Sequence, residues 1–180
     1  MIRNILLISS MMLLLGACSS GVKMKESAAP YKYSGEKYGI VTVTMSEGVT
    51  KDERKAVRTD QLKLDANIQS YLTGRGIYDS TSKNRIEVLV NKIHIRNTFN
   101  AVMFGFMSGS DNIAGTVSLK DADGRELSSF DITASYALGG GGGGQDDARL
   151  GWLSEQFAKL TVDSIMGTQK NKRHRKTASR

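Results

Sequence analysis

The stretch IAGTVSLKDADGRELSSFDITASYAL, residues 113–138, decides the fold class. Its first part places Ile113, Val117 and Leu119 on one face of a strand that runs to Lys120. Asp121-Ala122-Asp123-Gly124 supplies a tight turn, with glycine where a left-handed backbone is needed. Phe130, Ile132, Ala134 and Tyr136 then alternate along a second strand to Leu138. The pattern predicts an antiparallel hairpin with one apolar face, which must find a second layer to cover it.

Working upstream, Arg85–Arg96 alternates Ile86, Val88 and Val90, then changes phase to Ile93 and Ile95, which predicts a strand with a bulge near Asn91 and Lys92. Tyr38–Ser46 carries Ile40, Val41, Val43 and Met45, a β-branched run suited to a first strand. Between the two, Thr50-Lys51-Asp52-Glu53 has the spacing of a capping box. Val57, Leu64, Ile68 and Tyr71 or Leu72 follow at helical intervals until Gly74 supplies a stop. Downstream, Gly139 to Gly144 break the chain. Asp146 or Asp147 then caps a last helix whose stripe is Leu150, Leu153, Phe157, Leu160 and Ile165, and Gly167 ends it. The order strand, helix, three strands, helix predicts an α+β class, two-layer domain with the helices packed on one face of the sheet. One domain is expected at 180 residues.

The ends differ from this body. Removing Arg3 and the six bases after Thr168 from the 25 lysines and arginines leaves 18 against 18 acids, so the body is neutral. That distribution excludes a uniformly basic nucleic-acid-binding domain, and a single cysteine excludes an internal disulfide framework. Residues 1–17, MIRNILLISSMMLLLGA, combine a positive start at Arg3, an apolar core from Ile5 to Leu15 and two small residues, the make-up of a signal peptide. The core is shorter than the roughly 20 residues that a permanent spanning helix requires.

Leu15-Gly16-Ala17-Cys18 resembles the lipobox of bacterial lipoproteins, in which cleavage between Ala17 and Cys18 frees a cysteine whose thiol carries a diacylglycerol. The resemblance implies that the new amino group is acylated as well, as with palmitate, so two or three chains anchor the protein where one would hold it only marginally. Ser19 stands where enterobacterial lipoproteins retained in the inner membrane carry aspartate. The expected location is therefore the outer membrane, facing the periplasm. Residues 18–37 contain the only proline, Pro30, and no apolar period, and read as a lipidated tether reaching up to about 60 Å. The alternating Tyr31, Tyr33 and Tyr38 suggest an edge strand at its end, with a small contact patch as the alternative. Residues 38–168 form the expected periplasmic domain.

The body, from Ile40 to Gly167, resembles a loosely related set of bacterial exported proteins, mostly uncharacterised outer-membrane lipoproteins. The likeness is carried by Phe104-Gly105-Phe106 with Ser108-Gly109-Ser110, by Val117 to Gly124, and by the Gly139 block. More distantly, the architecture is similar to the periplasmic domains of the curli-secretion lipoprotein and of lipoprotein activators of cell-wall synthases. These resemblances imply a binding or assembly module and bring no catalytic residues.

Candidate chemistry is sparse. Ser80-Thr81-Ser82-Lys83 fits S-x-x-K and Ser110-Asp111-Asn112 fits S-D-N, patterns of penicillin-binding enzymes. The first lies in a polar connection rather than at the start of a buried helix, and the third element is missing, since Lys176-Thr177-Ala178 sits in a basic tail. The glycine block is followed by Asp146 and Asp147, which repel phosphate, so it reads as a connector and not a phosphate loop. His94 and His174 are the only histidines, too few and too far apart for a metal site, and no cofactor is expected. The apolar run Ala101–Met107 is read as a candidate partner contact through Met103, Phe104, Phe106 and Met107, with a hairpin end folded over the sheet as the alternative. The tail, residues 169–180, is expected to be disordered. Its Lys170, Lys172, Arg173, Arg175 and Lys176 are candidate contacts to anionic lipid or to peptidoglycan carboxylates, with a merely solubilising tail as the alternative.

The function expected from the sequence is a non-catalytic outer-membrane lipoprotein with an envelope protein as partner and no nucleic acid. An envelope hydrolase with an unrecognised site is the alternative, and a pore-forming assembly a third reading.

Overall fold

The computed structural model describes residues 20–25, 31–56, 63–96, 109–137 and 146–168. Eight elements follow in order: β1 (Gly21–Met24), β2 (Ile40–Met45), α1 (Lys51–Ala56), α2 (Leu64–Gly74), β3 (Arg85–His94), β4 (Asp111–Lys120), β5 (Glu126–Tyr136) and α3 (Asp146–Ile165). The strands form one sheet in the order β1-β5-β4-β3-β2. Only β2 and β3 run parallel, a pairing that a tight turn cannot connect and that the intervening helical segments make possible. The predicted α+β architecture, with helices on one sheet, is what the chain adopts.

Alternation builds the core. Ile86, Val88, Val90 and Ile93 of β3, Ile113, Val117 and Leu119 of β4, and Phe130, Ile132 and Ala134 of β5 are buried on one sheet face. They meet Leu64, Ile68 and Leu72 of α2 and Leu150, Leu153, Phe157, Val162 and Ile165 of α3. The change of phase in β3 is a bulge. Val90 pairs with Gly115 and Lys92 with Ala114, so Asn91 is the extra residue. It stands exposed and donates to Thr116 Oγ1 at 3.1 Å, and Ile93 returns to the interior. At the β4–β5 turn Gly124 has φ 85°, and Asp121 accepts from the Asp123 and Arg125 backbone N–H groups.

The capping box forms as its spacing predicts. Thr50 N–H donates to Glu53 Oε2 at 2.8 Å, and Glu53 N–H donates to Thr50 Oγ1 at 3.2 Å. The helix it opens is not continuous to Gly74, however. Lys63 has φ 45° and ψ 30°, a left-handed conformation that cannot lie inside a right-handed helix, and α2 starts after it. The helix ends at Gly74, as expected, but the left-handed turn comes two residues later. Gly76, with φ 68°, takes the left-handed position, and Ile77 N–H returns to Leu72 O at 2.9 Å. Val57 lies outside the described residues.

Two corrections concern the segment read as a tether. Gly21–Met24 pairs antiparallel with β5, from Gly21 opposite Thr133 to Met24 opposite Phe130. It covers a sheet margin that would otherwise expose unpaired backbone groups, and Val22 packs half-buried against the core. Tyr31 and Tyr33 do not lie in an edge strand. Gly35 (φ 105°) turns the chain, and the Glu36 carboxylate accepts from Ser34 N–H and Oγ, closing a local turn. Tyr38 makes an isolated bridge to Tyr78. Its fully buried side chain shares a 2.9 Å hydrogen bond with the Tyr31 hydroxyl, which also donates to Glu36 Oε2 at 3.1 Å.

Burial pushes the Tyr38 hydroxyl up from its ordinary 10.0 to about 12, and Tyr31 moves in the same direction for the same reason. The folded chain thus holds these protons more tightly than the unfolded chain. Their contribution to stability is intact below pH 10 and is lost as pH climbs from 10 through about 12. Denaturant titrations across that range should show the midpoint falling in wild type, and falling less in the Tyr31→Phe, Tyr38→Phe double variant.

A second test concerns the helix-to-sheet contact. A Cβ on Gly115 would sit 2.9 Å from Leu89 O and 3.3 Å from the Phe157 ring. Gly115→Ala is expected to cost about 1–3 kcal/mol by overpacking, read as a lowered Tm. An unchanged Tm would mean that the β3 backbone at Leu89 and the Phe157 ring both give way without cost.

Candidate functional site

The sheet end at which β3 and β5 finish and β4 starts holds a buried cluster of charged side chains. Asp111, the first residue of β4, is 0% exposed. Arg96, just past β3, presents its backbone N–H to Asp111 Oδ1 at 2.7 Å and its Nη2 to Oδ2 at 3.1 Å. Arg149, in the first turn of α3, places Nη1 at 3.1 Å from Oδ1 and 2.9 Å from Oδ2. Both arginine side chains are almost wholly excluded from solvent.

Other donors of the two guanidinium groups reach backbone. Arg96 Nη1 donates to Gly109 O at 2.9 Å, Arg96 Nη2 to Tyr136 O at 3.4 Å, and Arg149 Nη2 to Arg96 O at 3.1 Å. The planar five-donor fork of arginine makes such branching geometrically feasible, whereas lysine would offer only a point charge. Arg96 and Gly109 are the two ends of the connection 97–108, and Tyr136 and Arg149 flank the glycine-rich connection 138–145. The cluster therefore fixes the bases of both connections against each other. Its chemistry is positional. Both carboxylate oxygens are engaged by cations, which leaves Asp111 unsuited to act as a general base.

Beside the cluster the Tyr136 ring packs on Trp152 of α3, with centroids 5.0 Å apart and planes inclined by 56°. Trp152 remains 41% exposed. On the neighbouring sheet margin, Ser20 Oγ donates to Ser135 O at 3.3 Å and accepts from Ser135 N–H at 2.9 Å.

The residues singled out in the sequence are distributed unevenly around this end. Ala17, Cys18, Met103, Phe104, Phe106, Met107, Lys170, Lys172, Arg173, Arg175 and Lys176 lie outside the described residues. His94 is exposed at the end of β3. The S-x-x-K residues occupy a surface turn: Thr81 N–H and Oγ1 both donate to Asp79 Oδ1, and Ser82 Oγ donates to Lys37 O at 2.7 Å. Hydrogen bonding from Thr81 holds the Asp79 carboxyl below its ordinary value. Of the S-D-N residues, Asp111 is the anion of the buried cluster. Among the described residues no group of three or more His, Cys, Asp or Glu side chains is placed to hold a metal ion, and no helix is long and apolar enough to cross a membrane.

Sequence reasoning missed the pairing of Asp111 with Arg96 and Arg149. The available signal was an acid at the mouth of a strand whose following residues alternate cleanly inward, a register that puts Asp111 on the buried face.

A family model described as a domain of unknown function (DUF4410) matches residues 34–140, more than half of the chain. No curated protein sequence matches the chain. Among solved structures it is similar to a PelC dodecamer from Paraburkholderia phytofirmans, at 13% identity and TM-score 0.47, over 82% of this chain and 97% of the other. It is also similar to a minor lipoprotein from Acinetobacter baumannii, at 15% identity and TM-score 0.42, over 73% of this chain and 94% of the other.

Asp111→Ala would leave two guanidinium groups buried without their shared anion and is expected to cost about 3–5 kcal/mol. Urea unfolding reads this directly. Replacing all three residues by apolar ones of similar volume should restore much of the loss, because the desolvation cost disappears along with the attraction. A cost under about 1 kcal/mol for Asp111→Ala, the size typical of exposed ion pairs, would show that water screens the cluster.

Proposed function

We propose that the chain, which belongs to the DUF4410 domain family, is a non-catalytic, lipid-anchored binding or assembly module of the bacterial envelope. The observation that carries this reading is Leu15-Gly16-Ala17-Cys18 behind the apolar core Ile5 to Leu15, with the single cysteine of the chain at the acylation position. Cys18 bears a diacylglycerol thioether and an N-acyl chain, and Ser19 directs the product to the outer membrane with its domain in the periplasm.

The folded domain supports a role in binding. Its buried charges brace two connections at one sheet end, and Thr81 and Ser82 of the S-x-x-K stretch are spent on turn hydrogen bonds. The connection braced between Arg96 and Gly109 carries Met103, Phe104, Phe106 and Met107, an apolar run suited to contact with an envelope protein. The basic residues Lys170, Lys172, Arg173, Arg175 and Lys176 serve as a second, electrostatic contact to anionic lipid or peptidoglycan.

Cys18→Ser tests the anchor. The variant should lose its acyl chains by mass spectrometry and leave the membrane fraction, and unchanged fractionation would sink the reading. In the intact protein, a photocrosslinker at Phe104 or Phe106 should capture one dominant envelope protein, and the same probe at Lys55 should not. Equal capture at both places would remove the apolar run from consideration.

A further inference from the structure

The first described residue, Ser20, is already locked to the sheet by its two hydrogen bonds with Ser135, and β1 continues along β5 directly after it. Only Ser19 separates that lock from Cys18. Two peptide units span at most about 7 Å between Cα atoms, so a lipid attached at Cys18 is joined to the end of β5 by no more than a short link. The expected tether of residues 18–37 is interrupted near its start, because Gly21–Met24 pair with β5.

A second observation falls at the same end. Tyr136 is the residue after Ser135, and its ring packs on Trp152, which stays 41% exposed although tryptophan is costly to leave in water. A tyrosine–tryptophan pair joins an apolar body to polar edges, the combination that partitions to the headgroup region of a bilayer. We infer that the end of the domain formed by Ser20, Ser135, Tyr136 and Trp152 is seated on the lipid surface that holds Cys18, with Trp152 at headgroup depth. The inference rests on the acylation of Cys18 proposed above. The occupant of this surface is lipid, and neither a second copy of the chain nor a cell-wall polymer is needed to cover the aromatic pair.

The chain contains one tryptophan, so its emission reports this site alone. The full lipidated protein, reconstituted in vesicles of phosphatidylethanolamine and phosphatidylglycerol, is compared with the same vesicles made from lipids brominated near the glycerol end of the acyl chains. Trp152 emission should be blue-shifted relative to the detergent-free Cys18→Ser protein, and lost in large part to bromine. Inserting a long Gly-Ser spacer between Ser19 and Ser20 should restore much of the emission. Undiminished emission in brominated vesicles, from protein that still floats with them, overturns the seating while leaving the anchor intact. Equal quenching in the spacer variant overturns the claim that the short link sets the position. Protein that carries no acyl mass and does not float overturns the anchor and the seating together.

Discussion

Asp111 accepts hydrogen bonds from two guanidinium groups and one backbone N–H in a place from which water is almost wholly excluded, and the closed end of the sheet depends on it. Through that carboxylate the exit of β3, the entry of β4 and the first turn of α3 share one point, and through Arg96 the exit of β5 joins them. Apolar contacts alone would hold the layers together without saying where each chain segment must leave the sheet. Directional, charge-assisted bonds supply that information, at the cost of burying ions that a purely apolar cluster would not contain. The arrangement concentrates the cost at the end of the domain where Arg96, Gly109, Tyr136 and Arg149 meet.

How much of this was legible follows from sequence distance. The β4–β5 hairpin, the bulge at Asn91 and the Thr50–Glu53 box are set by residues within a few positions of each other, and each formed as its local pattern required. The Asp111 cluster joins residues separated by 15 and 38 positions, and each looks ordinary among its own neighbours. β1 was illegible for a different reason. Four residues give no usable period, and Gly21 and Lys23 are poor strand formers that adopt the conformation because the margin of β5 needs a partner. Lys63 carries no chemical signal for a left-handed backbone, so a break in an otherwise unbroken helical pattern could not be read there.

The polar decoys show the same logic in reverse. Ser80-Thr81-Ser82-Lys83 matches an enzyme pattern by type and spacing, yet the fold places it in a surface turn where Asp79 takes up the Thr81 hydroxyl and the Lys37 carbonyl that of Ser82. Ser110-Asp111-Asn112 matches another such pattern, and its acid is fully committed to the arginines. Identical residue types therefore serve structure here because the surrounding register determines what each can touch. The motif at Cys18 is of another kind, because the covalent processing proposed for it acts on the chain and does not depend on the register.

The pairing of β1 with β5 has a kinetic side. Ser20 and Ser135 are 115 residues apart, so the hydrogen bonds between them close a loop containing most of the chain. Closing a loop of that size costs entropy that nearby contacts do not repay, and such pairings form late. Residues 20–25 are synthesised before every other described element, yet they cannot take up their place until β5 exists and lies against β4. The amino end is thus made first and fixed last, which gives any processing at Cys18 an interval in which its substrate is still an extended chain.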